Sequence, residues 1–539
     1  MSSGIENSGL DPGASGGARH GGAARGGAFD VLVIGSGIGG LVCAGVLARE
    51  GLRVCVLEKN PQIGGALQTY TRDKVLFDAG VHYMGGLAPG QNLYQIFKYL
   101  GIMDELHLTR LDEDAFDTIL IGDDPTEYAF AQGYDRFVDT LAARFPAERA
   151  GILAYADAIR DVCSRFPLYN LRAGGVYSEK AGVLETDART TIEGFTKNEK
   201  LREVLAGNNI LYAGQPGKTP FYVHALVLNS FIESSWKCTD GGGQLAKVLA
   251  RSIRSHGGDV RTRAEVTQIV EENGRVTHLV LADGSKVYAN AIVSSLHPAQ
   301  TLALTPSALL KPAYRGRIGS LENSIASFCV NLVLQPRTVR YEKHNYYYMR
   351  PGCAWTQTGY TGADWPRGYA LFYGRSRTDP SYASSVTIMS YMRYDEVAPW
   401  AGTFNTVAHA EARAGEGGAH AEARGADYEA FKRRKYGQLM RCVAERFPEL
   451  AAEVAHWYAS TPLSFRDYLG TADGSLYGIV KDYRNPVKTI IPARTKVEGL
   501  FLTGQNLNLH GILGAAISSL ATCADLLGRD DFVEKIKNA

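Results

Sequence analysis

The sequence lacks any excess of charge. Lys and Arg number 57 against 56 Asp and Glu, a formal net charge of +1 over 539 residues. That balance excludes the basic footprint of a nucleic-acid binder, and no nucleic-acid partner is expected. The eight cysteines form no C-x-x-C pair and no zinc-like spacing with histidine, so no metal site is assigned. Cys43 and Cys55 fall in apolar runs that read as core. Scattered thiols suit a reducing compartment, and a cytoplasmic location is expected. The first twenty-odd residues lack the apolar stretch of a signal peptide. Rich in Gly, Ser and Ala, residues 1–27 are expected to form a disordered tail. Long hydrophobic runs are also missing, with one exception at Val31 to Ala48. Its glycines and its Val-Leu-Val-Ile opening divide it into a strand, a turn and a helix rather than a membrane span.

What is present is the composition of a globular protein, 45% apolar and 21% charged. The length suggests about two to four domains. The 29 tyrosines are expected mainly as half-buried surface rings. Phe29 to Ile34 predicts a buried strand, followed by a helix to about Glu50 and a second strand over Leu52 to Glu58. Leu100 to Trp236 has a largely helical pattern. Val266 to Glu272 and Val276 to Ala282 predict a hairpin about Asn273-Gly274, where both turn positions take positive φ. Ala291 to Ser295 predicts another buried strand, and Ser320 to Met392 is strand-rich. Ala408 to Arg413 and Ala419 to Arg424 repeat the same six residues about a glycine-rich spacer. This is expected to be an exposed low-complexity insertion, 400–427, and its His409 and His420 are read as solvated rather than metal-binding. Leu500 to Leu502 is a short strand, and Ile512 to Leu527 a helix of small residues.

Gly35-Ser36-Gly37-Ile38-Gly39-Gly40 is a G-x-G-x-x-G turn between the first strand and helix. Gly35 permits the tight turn, Gly37 lets the backbone approach a pyrophosphate, and Gly40 lets helix and strand pack closely. The helix start offers free N–H groups and the positive end of its dipole. Glu58, followed by Lys59, ends the second strand about twenty positions on, placed for ribose hydroxyls. These signals fit NAD or FAD alike. Gly64-Gly65 soon after Glu58, and a return to glycine at Gly504 and Gly511 to Gly514 before the last helix, favour FAD, whose flavin half needs a second cradle. No second G-x-G-x-x-G unit appears, so the electron donor or acceptor is unidentified: a quinone, a redox protein or diffusing NAD(P)H.

These motifs, with Phe77-Asp78-Ala79-Gly80-Val81-His82 and Gly499-Leu500-Phe501-Leu502-Thr503-Gly504-Gln505, resemble the phytoene desaturase, carotenoid isomerase and retinol saturase group of flavoproteins. The resemblance runs from about Phe29 to the end, and Val81-His82-Tyr83 looks closer to the retinol saturase branch than to plain desaturases. It implies an α/β fold: a Rossmann-type FAD-binding domain of the glutathione-reductase-like flavoprotein kind (28–100, 236–302 and 496–539) with an inserted α+β substrate domain (101–235 and 303–495). It implies that Gly35, Gly37, Gly39, Gly40, Glu58 and Lys59 hold the ADP half of FAD. Val266 would lie beside the adenine, and Gly64, Gly65, Gly504, Gln505 and Gly514 would surround the flavin half. The substrate would be a hydrophobic polyene or isoprenoid lipid in an apolar tunnel, with peripheral contact to the inner face of a membrane. Two positions depart from the pattern: Ala66 stands where many relatives carry a basic residue, and Gln505 at or beside a position that is often acidic.

A flavin moves a hydride, and a proton must be given or taken at the adjacent carbon. His82, His510 and Tyr477 are the candidates for that group. Saturation, desaturation or isomerisation of a polyene is the first reading, with saturation favoured. A flavin amine oxidase and a non-catalytic binder of prenylated proteins are the alternatives.

Overall fold

The computed structural model describes residues 29–175, 177–404 and 424–539. The expected tail, and the histidines of the repeated hexapeptide, lie outside the described residues.

A five-stranded parallel sheet is ordered Asp259–Arg261, Val54–Leu57, Val31–Ile34, Ala291–Ser294, Leu500–Leu502. Its central strands are short apolar runs because helices or loops cover both faces. Every residue of Val31–Ile34 is buried. The helix Ile38–Arg49 that follows is apolar on all sides. It is enclosed by the sheet and by two further helices, Gly243–Ser255 and Gly511–Leu527. Ends of the chain far apart in sequence thus meet in one layer.

The hairpin forms as expected, Val266–Glu272 against Arg275–Leu281, with Asn273 at φ 56° and Gly274 at φ 85°. Lys286–Tyr288 adds a third strand.

A second, seven-stranded sheet is ordered Val454–Ser460, Ala326–Leu334, Ala383–Met392, Gly368–Arg375, Asn345–Met349, Asp117–Ile121, Tyr128–Phe130. It is antiparallel except between Asn345–Met349 and Asp117–Ile121. Two of these strands correct the helical reading of Leu100 to Trp236, as does Leu108–Arg110 in a small sheet with Ser235–Cys238 and Met84–Gly85. Strands of two to five residues carry too little periodicity to stand out. Asp117–Ile121 also opens on a residue that strands disfavour.

The tyrosines are a second correction. Tyr155, Tyr347, Tyr360, Tyr369 and Tyr428 are among the largest fully buried side chains. Tyr347 and Tyr369 lie on strands of the seven-stranded sheet, Tyr155 and Tyr428 on helices and Tyr360 in a loop, and most of their hydroxyls find partners inside. Among the described residues, no helix is long and apolar enough to cross a membrane.

Candidate functional site

The glycine turn closes as its spacing demands. Gly35 takes φ 91°. A Cβ at Gly40 would lie 2.1 Å from the Gly35 carbonyl oxygen, so only glycine lets the helix start so near the strand end. A Cβ at Gly37 would meet nothing within 4 Å, and Gly37 lines a cavity of about 660 Å³. Glu58 turns back onto this corner. Its Oε2 accepts hydrogen bonds from Ser36 N at 3.1 Å and Ser36 Oγ at 2.5 Å, and its Oε1 from Asn60 N at 2.8 Å. A carboxylate has about four acceptor positions, so about one remains for a ligand hydroxyl. Ser36 Oγ also accepts from Gly64 N at 3.0 Å, which draws the double glycine onto the first turn. A Cβ at Gly65 would stand 3.3 Å from Gly37 Cα.

The C-terminal segment arrives at the same corner. A Cβ on Gly39 would lie 2.7 Å from Gly504 Cα. Ser519 Oγ donates to the Gly39 carbonyl at 2.7 Å, and the Cys43 and Cys523 sulfurs are 3.6 Å apart. Gly514 is held to glycine by the loop folding back on it, with a would-be Cβ 2.6 Å from the Leu509 carbonyl carbon. Neither the helix from Ile38 nor the helix from Gly511 has a side-chain cap or an acidic residue in its first turn. Both therefore keep unsatisfied N–H groups and a positive dipole end beside one cavity, an arrangement suited to an anionic, hydrogen-bond-accepting ligand.

Every residue singled out from the sequence lines this cavity except Gly40, which packs behind it against Gly35. Gly35, Gly37, Gly39, Glu58, Lys59 and Val266 meet there with Gly64, Gly65, Gly504, Gln505 and Gly514. His82, Tyr477 and His510 share the wall with apolar residues, among them Leu226, Val227, Phe231, Phe372 and Met389.

The two histidines are not poised as acids. His82 stacks on Phe372, ring centres 4.4 Å apart. Burial, with Lys237 nearby, pulls it down to about 3. His510 packs against Tyr477, its Nε2 hydrogen-bonded to the Leu211 carbonyl at 3.1 Å, and burial pulls it down to about 4. Both imidazoles are neutral through the physiological range. Tyr477 Oη donates to the Ile210 carbonyl at 2.8 Å. All three line the cavity wall. His82→Phe, which keeps the stack, is expected to retain turnover within about tenfold, less than the loss of a general acid or base would cost. Steady-state rates at pH 6 and 8 check this.

Sequence reasoning missed several charged groups close by. Lys237 is half-buried and donates to the Tyr373 carbonyl. Burial takes it down to about 8, against the pull of Asp78. Asp78 accepts from Gly242 N at 2.6 Å, and burial raises it to about 6. Lys481 is buried behind the C-terminal loop. Its Nζ donates to the carbonyls of Thr489 at 2.8 Å, Asn506 at 2.9 Å and Leu507 at 3.0 Å. Burial pulls it down to about 7, while three carbonyls matched to its three N–H groups favour the charged form. Lys481→Met orphans those carbonyls and is expected to cost about 3 kcal/mol. The shift in urea midpoint at constant slope measures it. No sequence signal marks Lys481. Asp117, an acid inside the run Phe116 to Ile121, did carry one.

The fold and the cavity define a flavoprotein oxidoreductase. The chain belongs to the flavin containing amine oxidoreductase family, whose model matches residues 38–400. It is 26% identical to the all-trans-retinol 13,14-reductase of Homo sapiens, an alignment covering 93% of this chain and 86% of that one. It is 29% identical to the chloroplastic prolycopene isomerase of Daucus carota over 50% of this chain and 46% of that one. Among solved structures, an oxidoreductase from Methanosarcina mazei shares the fold with a TM-score of 0.59 at 17% identity, covering 91% of this chain and 99% of its own. The family implies FAD, and the residues present fit it. Two uncapped helix starts, glycines that bring backbone up to the cavity, and a carboxylate with an acceptor position to spare match its phosphates, flavin ring and ribose.

Proposed function

We propose that the chain binds FAD in this cavity and acts on a carbon–carbon double bond of a hydrophobic polyene lipid, saturation being the favoured direction. Gly35, Gly37, Gly39, Gly40, Glu58 and Lys59 would hold the ADP half, with Val266 beside the adenine. Gly64, Gly65, Gly504, Gln505 and Gly514 would surround the flavin. When bound, the cofactor supplies hydride transfer. The chain's own residues bind, orient, exclude water and handle the proton.

One observation carries the reading. The glycine-lined corner and an apolar wall built from Leu226, Val227, Phe231, Phe372 and Met389 belong to one cavity, whose volume lies in the range of small-molecule sites. A polyene needs such a wall. The similarity to all-trans-retinol 13,14-reductase over most of both chains supports the same substrate class. The test is mass spectrometry of all-trans-retinol incubated without oxygen with dithionite-reduced protein. A gain of two mass units is expected. Peroxide formed from amines, with the polyene unchanged, would favour an amine oxidase instead.

A further inference from the structure

Tyr83 lines the cavity, its ring stacked on that of Phe231 with centres 4.4 Å apart. Its hydroxyl donates to Asp117 Oδ2 at 2.8 Å and shares a 2.6 Å hydrogen bond with Tyr347 Oη. Asn345 Nδ2 donates to Asp117 Oδ1 at 2.9 Å, and Asn208 lies beside the same carboxyl. Asp117 and Asn345 are directly opposed on parallel strands, and Tyr347 sits two residues further along. Asp117 is fully buried and meets no cation in this network. A buried carboxyl with no cationic partner is costly unless it carries its proton or has work to do.

Saturation of a double bond needs a hydride at one carbon and a proton at its neighbour. His82, His510 and Tyr477 are poorly suited to give that proton. The imidazoles are neutral, and His510 and Tyr477 donate to backbone carbonyls, which have no proton to return, whereas the partner of Tyr83 is a carboxyl that can carry one. Resting on the carbon–carbon reading above, we propose that Tyr83 is the catalytic acid of this site and that Asp117, with Tyr347, restores its proton.

The step balances. The hydride would come from a reduced flavin held in the glycine-lined corner, the two-electron reductant of the step. The Tyr83 O–H bond breaks as the second C–H bond forms. With Asp117 neutral the hydrogen bond runs the other way: the carboxyl donates to the Tyr83 oxygen, which leaves the Tyr83 O–H for the substrate, and the carboxyl proton follows to that oxygen while Tyr347 holds it from its other side. The resulting carboxylate keeps its bond from Asn345 and takes a proton from water once the product has left. Burial sets both resting protonation states. It pushes the Tyr83 phenol well above its usual value, so the phenol is protonated at neutral pH and gives up its proton only as Asp117 supplies another. It raises Asp117 to about 7, against the hydrogen bonds from Asn345 and Tyr83. The titratable groups facing Asp117 are Tyr83, from the segment before Met84–Gly85, and Tyr347, from the neighbouring strand, with Tyr477 beyond it. Because the useful form is the neutral carboxyl, the rate should fall as pH rises through about 7.

Single-turnover saturation of all-trans-retinol by dithionite-reduced protein tests this. Tyr83→Phe keeps the ring, so flavin content and retinol affinity should match wild type. Its rate should fall about 100-fold or more, the usual worth of a positioned acid. Asp117→Asn should lose the fall in rate above pH 7 and lower the plateau. In deuterated water the wild type should show a solvent isotope effect that Tyr83→Phe alters. A Tyr83→Phe protein as fast as wild type overturns the relay alone. So does one that loses only retinol affinity, since that marks a binding hydroxyl, and so does an Asp117→Asn pH profile that retains the fall. A wild type that never adds two mass units overturns the carbon–carbon reading, and the relay with it.

Discussion

Gly37→Val is expected to fold like the wild type and to purify without flavin. A Cβ at Gly37 meets no protein atom within 4 Å, so the side chain starts in open space rather than against the folded chain. Gly37 already has φ −62° and ψ 170°, which valine adopts without strain. The added methyls nevertheless project from the start of the helix Ile38–Arg49, where a pyrophosphate must approach the backbone. Affinity for FAD should fall at least about 100-fold, roughly 2.7 kcal/mol. The urea midpoint of the flavin-free protein should move little, since surface-like changes without a clash usually stay within about 0.5 kcal/mol. Gly39→Val behaves differently, because a side chain there runs into Gly504 backbone and disturbs both the site and the fold. Gly45→Ala, further along the same helix, meets the Leu100 and Ile253 side chains and should keep its flavin. Calorimetric titration of FAD into the flavin-free proteins, beside urea unfolding of each, separates lost binding from lost folding.

The second large effect concerns the wall. The helix Pro462–Leu469 supplies Phe465 and Leu469 to the cavity, and Tyr468 lines it as well. Between them Asp467 pairs with Arg424 at 2.5 Å, the two side chains 3% and 2% exposed. Arg466 adds a 2.8 Å contact to the other carboxylate oxygen. Arg424 also lies over the Tyr428 ring, 5.1 Å from its centre. Removing one member of such a pair leaves a buried charge uncompensated. Asp467→Ala is therefore expected to destabilise the protein by about 3–5 kcal/mol. Replacing both partners with apolar residues of similar size, Asp467→Leu with Arg424→Met, should recover most of that loss, because a matched apolar pair avoids desolvating charge altogether. The comparison of single and double variants in urea measures the coupling.

The cofactor corner was legible because its signals are local. Strand, glycine turn, helix and Glu58 fall within about thirty residues, and Gly35 and Gly40 answer demands that arise inside that span. The hairpin about Asn273-Gly274 was legible for the same reason. The return of the chain at Gly504 and Gly514 was read from clustered glycines and from resemblance. The structure adds the physical cause, a backbone-to-backbone approach that excludes any Cβ at Gly39. The polar network joining Tyr83, Asp117 and Tyr347 was not legible. Tyr83 meets Asp117 across 34 residues and Tyr347 across 264, a pairing that exists only once the seven-stranded sheet has formed. Tyrosines read one at a time look like surface rings, and only strand register shows that they share a buried layer. His82 and His510 were rightly placed at the cavity. Their neutrality depends on how completely they are buried, which motif spacing does not report.

The central claim is that two helix starts, one from each end of the chain, hold one nucleotide between them. Hydrogen exchange of the flavin-free protein, measured with and without added FAD, tests it directly. The backbone amides of residues 37–41 and 511–515 should gain protection together, over the same range of FAD concentration. Protection at only one of the two helix starts, or at neither, would contradict the account.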